Sequence, residues 1–345
     1  MKVLLFGVIL TAFVSGCHEV TEFQSGERSG VTLVRTCDLQ AVSTLEGIEG
    51  GRSIISVSPT ELVVFSSGGL LYRIDTAKMS IDTSYTVGGS SGMGYGDVVQ
   101  AVNGHLYVLG PGSQVIEIDL EADAVVDMFQ PGPSPSALAA SPTESRLYFV
   151  DSAENFIGEI YLVSNVVGFT SSTDFPLADI LVEPLGGRHI IAPCSNSRGY
   201  VYGIWLDLSP AARLLGGIHN TLQTGSPAGV ALPLPCDSVY AVCSPEWNGD
   251  GGILHMIQGY VVFSAPTHTA VQGHPLDMCF TGSTGLSGNL FVLSRTDEGS
   301  ALISMYEFPS DYRHPELAAT LSIDGMPIGM VHHADEEYVA VLTSF

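Results

Sequence analysis

The hexapeptide RLYFVD, residues 146–151, has six counterparts along this 345-residue chain. They are ELVVFS (61–66), HLYVLG (105–110), HIIAPC (189–194), SVYAVC (238–243), NLFVLS (289–294) and EYVAVL (337–342). Most place a polar residue in front of three or four apolar ones, many of them β-branched or aromatic. Runs this short, bounded by Gly, Ser, Asn or Pro, read as strands and not as helices. Their near-continuous apolarity demands burial on both faces of a sheet.

A second feature recurs with a similar period. Gly225-Ser226-Pro227, Gly273-His274-Pro275 and Gly325-Met326-Pro327 each precede an apolar run, as do the degenerate steps Ser134-Pro135 and Phe175-Pro176. Successive prolines stand 41, 51, 48 and 52 residues apart, a period that marks a repeat architecture. The third unit shows four strands, at 136–140, 146–151, 156–163 and 166–171; the second repeats them at 97–102, 105–110, 114–120 and 124–129. Radially packed four-stranded blades bury every sheet between two neighbours. Six units are complete, and residues 327–345 supply two strands of a seventh. The missing outer pair matches 31–36 and 39–45, near the other end of the chain. Pairing N-terminal with C-terminal strands would close the ring and remove an exposed edge. The expectation is an all-β, seven-bladed β-propeller over residues 31–345, as one domain. Six or eight blades are the alternative counts, and paired β-sandwiches the alternative architecture.

The segment 137–162 (ALAASPTESRLYFVDSAENFIGEIYL) resembles the repeats of the YVTN, or YncE-like, propellers, which grade into the lactonase-like and quinoprotein-like seven-bladed families. The matching features are the proline before the first strand, the Ser141-Pro142 turn, Leu147-Tyr148 and the third strand, best seen in QVIEIDL at 114–120. The likeness is clear in units two and three and implies fold more than activity. The glycine-histidine and Trp-Asp signatures of WD40 blades are missing. Two tryptophans in the chain argue against a tryptophan-repeat quinone dehydrogenase.

Residues 1–16 read as an export signal: Lys2, an apolar core from Val3 to Val14, then Ser15 and Gly16. Val14-Ser15-Gly16-Cys17 resembles the bacterial lipobox, which implies that Cys17 is lipidated and becomes the mature N-terminus. An ordinary cleaved signal with a chance cysteine is the alternative. Residues 17–30 would then be the lipidated Cys and a polar tether, with membrane contact through lipid alone. His18 stands where inner-membrane retention would favour Asp, which by the same resemblance points to the outer membrane or cell surface. Five further cysteines allow a Cys194–Cys243 bridge between adjacent units, although blade spacing favours free thiols.

The net charge of −24, from 36 acidic and 12 basic residues, repels nucleic acid and anionic lipid headgroups. Cations, cationic ligands or basic partners match it better.

In a propeller, the loops from fourth to first strand and from second to third strand share one face. That face collects Tyr95, Asp97, Asp151, Glu154, Arg198, Trp247, His274, Arg295 and Asp297 as candidate ligand or partner residues. Glu246, Asn248 and Asp250 alternate before Gly251 like the first half of a calcium loop, so Ca2+ is the candidate cofactor; a hairpin turn explains the same residues. The Gly-x-Ser-x-Gly at 88–92 lacks the strand-then-helix setting of a nucleophile elbow. His332-His333 reads as a solvated turn on the opposite face, since alternation separates adjacent side chains. His274 could act as a base but shows no partner in the sequence.

The expected function is therefore an exported, lipid-anchored binding or interaction scaffold of the cell envelope. A lactonase-like or other metal-assisted hydrolase at the channel mouth is the alternative, and quinone-linked electron transfer a third.

Overall fold

The computed structural model describes residues 27–87, 97–173, 176–177, 179–182, 189–193, 201–205, 214–217, 229–231, 239–245, 251–258, 267–281, 288–309, 314–333 and 337–345. The signal, Cys17 and the tether up to residue 26 lie outside them, as do Cys194 and Cys236.

The described strands form seven four-stranded antiparallel sheets. Six run in simple chain order, with innermost strands Gly51–Ser58, Val98–Gln100, Pro135–Ala140, Leu181–Val182, Gly229–Ala231 and His274–Thr281. These define blades 1 to 6. Blade 7 is composite. Its inner strands are Met326–His332 and Tyr338–Ser344, and its outer ones Arg28–Arg35 and Gln40–Glu49. Arg28–Arg35 pairs antiparallel with Tyr338–Ser344, Val31 opposite Leu342 and Val34 opposite Val339. The closing sheet is the one expected, although its first strand begins at Arg28, inside the segment read as tether. The innermost strand of blade 7 packs against that of blade 1, completing the circuit.

The core consists of layers between blades, as runs apolar on both faces require. Blades 7 and 1 share Val31, Leu33, Ala340 and Leu342 against Ile54, Leu62, Val64 and Ile74. Blades 1 and 2 share Val63, Phe65 and Leu71 against Leu106, Val108 and Ile118. Equivalent layers join blades 2 and 3, 3 and 4, 5 and 6, and 6 and 7. Alternate residues of one run thus serve two layers: in RLYFVD, Leu147 and Phe149 face blade 2 while Tyr148 and Val150 face blade 4.

The repeats agree down to single dihedrals. Leu39, Met79, Asp123 and Asn165 each precede a fourth strand in the left-handed region, at φ 51°, 48°, 48° and 51°. Asp and Asn tolerate that conformation, whereas Leu and Met meet a cost of about 1–2 kcal/mol. Leu39 offsets it by burying its side chain in the layer between blades 6 and 7. The proline steps also acquire a structural meaning. Pro135, Pro275 and Pro327 open innermost strands, each directly ahead of a β-bulge, where a missing N–H is tolerated.

His333 corrects the expectation of a solvated turn. It is 2% exposed, with Nδ1 hydrogen-bonded to Ser56 Oγ at 3.0 Å and Nε2 to Thr76 Oγ1 at 3.1 Å. The imidazole therefore ties blade 7 to blade 1, and its backbone N–H donates to the Tyr338 carbonyl.

Candidate binding face at the channel mouth

Blade 6 presents the best-defined part of the face carrying the fourth-to-first and second-to-third loops. Gly273 enters the innermost strand at φ 70°, and a Cβ there would lie 2.7 Å from the Arg295 carbonyl oxygen. Only glycine allows this approach without strain. It leaves His274 directly opposite Arg295 in the antiparallel pair, so both side chains project to one side of the sheet. The following turn is tight: Thr296 N–H donates to the Ser300 carbonyl and Gly299 N–H to the Thr296 carbonyl, both at 2.9 Å. Ser300 N–H donates to Thr296 Oγ1 at 3.0 Å, and Gly299 takes φ 90°. Asp297, on this turn, lies 3.5 Å from His274 Nε2. Together with Glu298 and with Met326 of blade 7 they line an open cleft of about 370 Å³. His274 thus has an acidic partner 23 residues away, which no local spacing reveals.

A second feature lies deeper in the channel. Asp97 and Asp179 stand just ahead of the innermost strands of blades 2 and 4, and Asp277 near the start of that of blade 6, each directly before an apolar residue. Each accepts a hydrogen bond from the next backbone N–H: Val98 to Asp97 at 3.0 Å, Ile180 to Asp179 at 2.7 Å, and Met278 to Asp277 at 2.8 Å. The second oxygen of Asp97 accepts from Leu138 N–H of blade 3 at 2.9 Å, and that of Asp277 from Met330 N–H of blade 7 at 2.8 Å. Two of the three carboxylates therefore stitch one blade to the next. Burial, then the charge of Asp179, raises the Asp97 carboxyl to about 7 against the restraint of its N–H donors. Burial also raises Asp277 to about 6, with a smaller push from Asp97. Asp97 thus feels the charge of Asp179, and Asp277 that of Asp97, across the ring of innermost strands. Among the described residues no three metal-capable side chains converge on one point.

The remaining candidates separate. Asp151 is fully buried and does not belong to an accessible rim. One of its oxygens accepts from Ser134 N–H at 2.9 Å, and the other from Ala153 and Glu154 N–H at 3.1 and 3.0 Å. It organises its loop and has little capacity left for a ligand. Glu154 lines a different, shallow groove on blade 3 with Phe156, Val167, Gly168 and Ser172. Asp97 lies in the channel wall, below the rim. Tyr95, Arg198 and Trp247, and the calcium-loop candidates Glu246, Asn248 and Asp250, lie outside the described residues. Of the cysteines, Cys37 and Cys279 are free thiols, Cys243 is buried, and burial pushes the Cys279 thiol up. Asp179 and Asp277 escaped the reading of the sequence. An Asp two or three residues beyond the repeat proline, directly before an apolar run, was the available signal.

The chain resembles solved β-propellers in three dimensions. Hydrazine synthase of Kuenenia stuttgartiensis matches with a TM-score of 0.68 at 13% identity, covering 86% of this chain and 95% of that one. The Cps50 (Swd1) β-propeller domain of Myceliophteria thermophila matches with a TM-score of 0.60 at 12% identity, covering 85% and 95%. At such identities the likeness defines the fold alone. No family model and no curated protein matches the sequence.

Proposed function

We propose that this chain is an exported, lipid-anchored β-propeller of the YVTN/YncE-like kind that holds a ligand or partner at the channel-mouth face. The single observation behind this reading is the cleft between blades 6 and 7. There a Gly-x-Pro repeat step sets His274 against Arg295, and a rigid turn brings Asp297 and Glu298 beside them. Rigid scaffolds that present polar side chains on such loops are built for recognition. The leader and Cys17 place the protein in the cell envelope under this reading, and the excess of acid makes nucleic acid an unsuitable partner.

A photo-crosslinking residue at Thr296 tests the binding role in the native envelope, with one at Thr60, on a turn of the opposite face, as control. A discrete adduct from position 296 and none from 60 is expected. Equal labelling at both positions, or none at 296, removes the reading. The anchor is tested separately. Cys17→Ser should abolish incorporation of labelled fatty acid and release the protein from membranes.

The His274–Asp297 pair supports a second reading, hydrolysis of a lactone or ester with His274 as base. It requires turnover of a simple lactone that His274→Gln removes.

A further inference from the structure

The cleft between blades 6 and 7 has a charge pattern set apart from most of the described surface. With 36 acids against 12 bases, four of the other described cations are taken up by carboxylates. Arg35 bonds Asp38, Arg73 bonds Glu61 and Asp123, Lys78 bonds Asp75, and Arg146 meets Glu144 and Glu159. Arg295 is half-buried, yet among the described residues no carboxylate stands within ion-pair distance of it. Two carboxylates on the adjoining turn could have served, but Asp297 is directed to His274 and Glu298 extends into solvent.

One concave site thus offers a guanidinium with no ion-pair partner among the described residues, the exposed carboxylate of Glu298, that of Asp297 shared with His274, and the apolar side chain of Met326. A guanidinium held beside a strand partner is suited to clasp a carboxylate with two parallel hydrogen bonds. A simple anion would be repelled by Asp297, Glu298 and the field of the whole molecule, while a simple cation would leave Arg295 unused. The complementary ligand carries both signs. About 370 Å³ of space suits a small molecule and not a folded partner.

We propose that this cleft binds a small amphoteric ligand of the amino-acid class. Its carboxylate rests on Arg295, its ammonium lies towards Asp297 and Glu298, and its carbon chain passes over Met326. This assignment rests on the reading of the channel mouth as a binding face, and it names the chemistry which that face selects.

The test is ligand-observed NMR at low ionic strength with glycine, 4-aminobutanoate and 6-aminohexanoate, alongside hexylamine and hexanoate. At least one amphoteric probe should bind on the order of tenfold more tightly than either single-charge probe. Arg295→Gln should reduce that probe to the level of hexylamine, and Asp297→Asn with Glu298→Gln should reduce it to the level of hexanoate. Should Arg295→Gln fail to fold, as judged by circular dichroism, Thr296→Trp fills the cleft and must abolish the signal. Hexylamine binding as well as every amphoteric probe overturns the proposal, as does a preference that survives Arg295→Gln or Thr296→Trp, or silence from all five probes. If the crosslink at position 296 still forms in those cases, the binding face stands and only the ligand class falls.

Discussion

At the residue scale, the titrating groups predict how stability responds to pH. Asp97 and Asp277 titrate at about 7 and about 6 in the folded chain, above the ordinary 3.8. The folded state therefore holds their protons more tightly than the unfolded one. Their contribution is complete below pH 3.8 and disappears as pH rises through 6 to 7. His255 works in the opposite sense. Burial, then the charge of His268, lowers it from 6.5 to about 3, and its Nδ1 sits 2.8 Å from that of His268. Its contribution is present above pH 6.5 and lost as pH falls towards 3. Among the described residues with a resolved shift, Asp97 and to a lesser degree Asp277 respond between pH 8 and 6.5, so acidification over that interval should raise the melting temperature. The total effect is at most on the order of a few kcal/mol. Asp97→Asn and Asp277→Asn should each flatten that limb in thermal melts, and His255→Gln should soften the decline below pH 6. A parent protein that melts lower at pH 6.5 than at pH 8 contradicts the assignment.

The element that matters most is the composite blade. Its two N-terminal strands cover the edge of Tyr338–Ser344 and supply Val31 and Leu33 to one layer and Val34 to another. Each such side chain is worth about 1.5–3 kcal/mol when fully buried, and the strand also satisfies the backbone groups of its partner. A chain lacking residues 1–49 should therefore lose its cooperative melt and associate through the bared edge, as read by size-exclusion chromatography. Restoring residues 27–49 as a separate peptide should recover a monomer. A truncated monomer with an unchanged melting curve would refute the closure. This element was legible because counting half-units at both ends of the chain leaves no strand over. The bulges after Pro135, Pro275 and Pro327 were not, since a one-residue shift in pairing leaves no trace in an apolar run.

For the whole molecule, charge and ring closure act together. A net charge of −24 on a compact ring stores self-repulsion that salt relieves. Raising NaCl from about 10 mM to about 200 mM should increase the melting temperature, because the Debye length shortens from roughly 30 Å to under 10 Å. A melting temperature that falls over this range would mean that specific ion pairs, such as Arg73 with Glu61 and Asp123, outweigh the general repulsion. Because each blade is sandwiched between neighbours, the transition should remain a single step in calorimetry.

By itself the sequence determined that this chain is a ring of small sheets closed by its two ends. Apolar periodicity is a local property, and seven copies of one pattern admit few ways to bury both faces. It also brought His274 and Arg295 together on one rim, because loop positions follow from strand order. Only the tertiary structure decided that Asp297 turns to His274, that Asp151 is consumed by its own loop, that His333 locks blade 7 to blade 1, and that Asp97 feels the charge of Asp179 and Asp277 that of Asp97. Those outcomes depend on distances between residues far apart in the chain, set by the angle and register at which one blade meets the next.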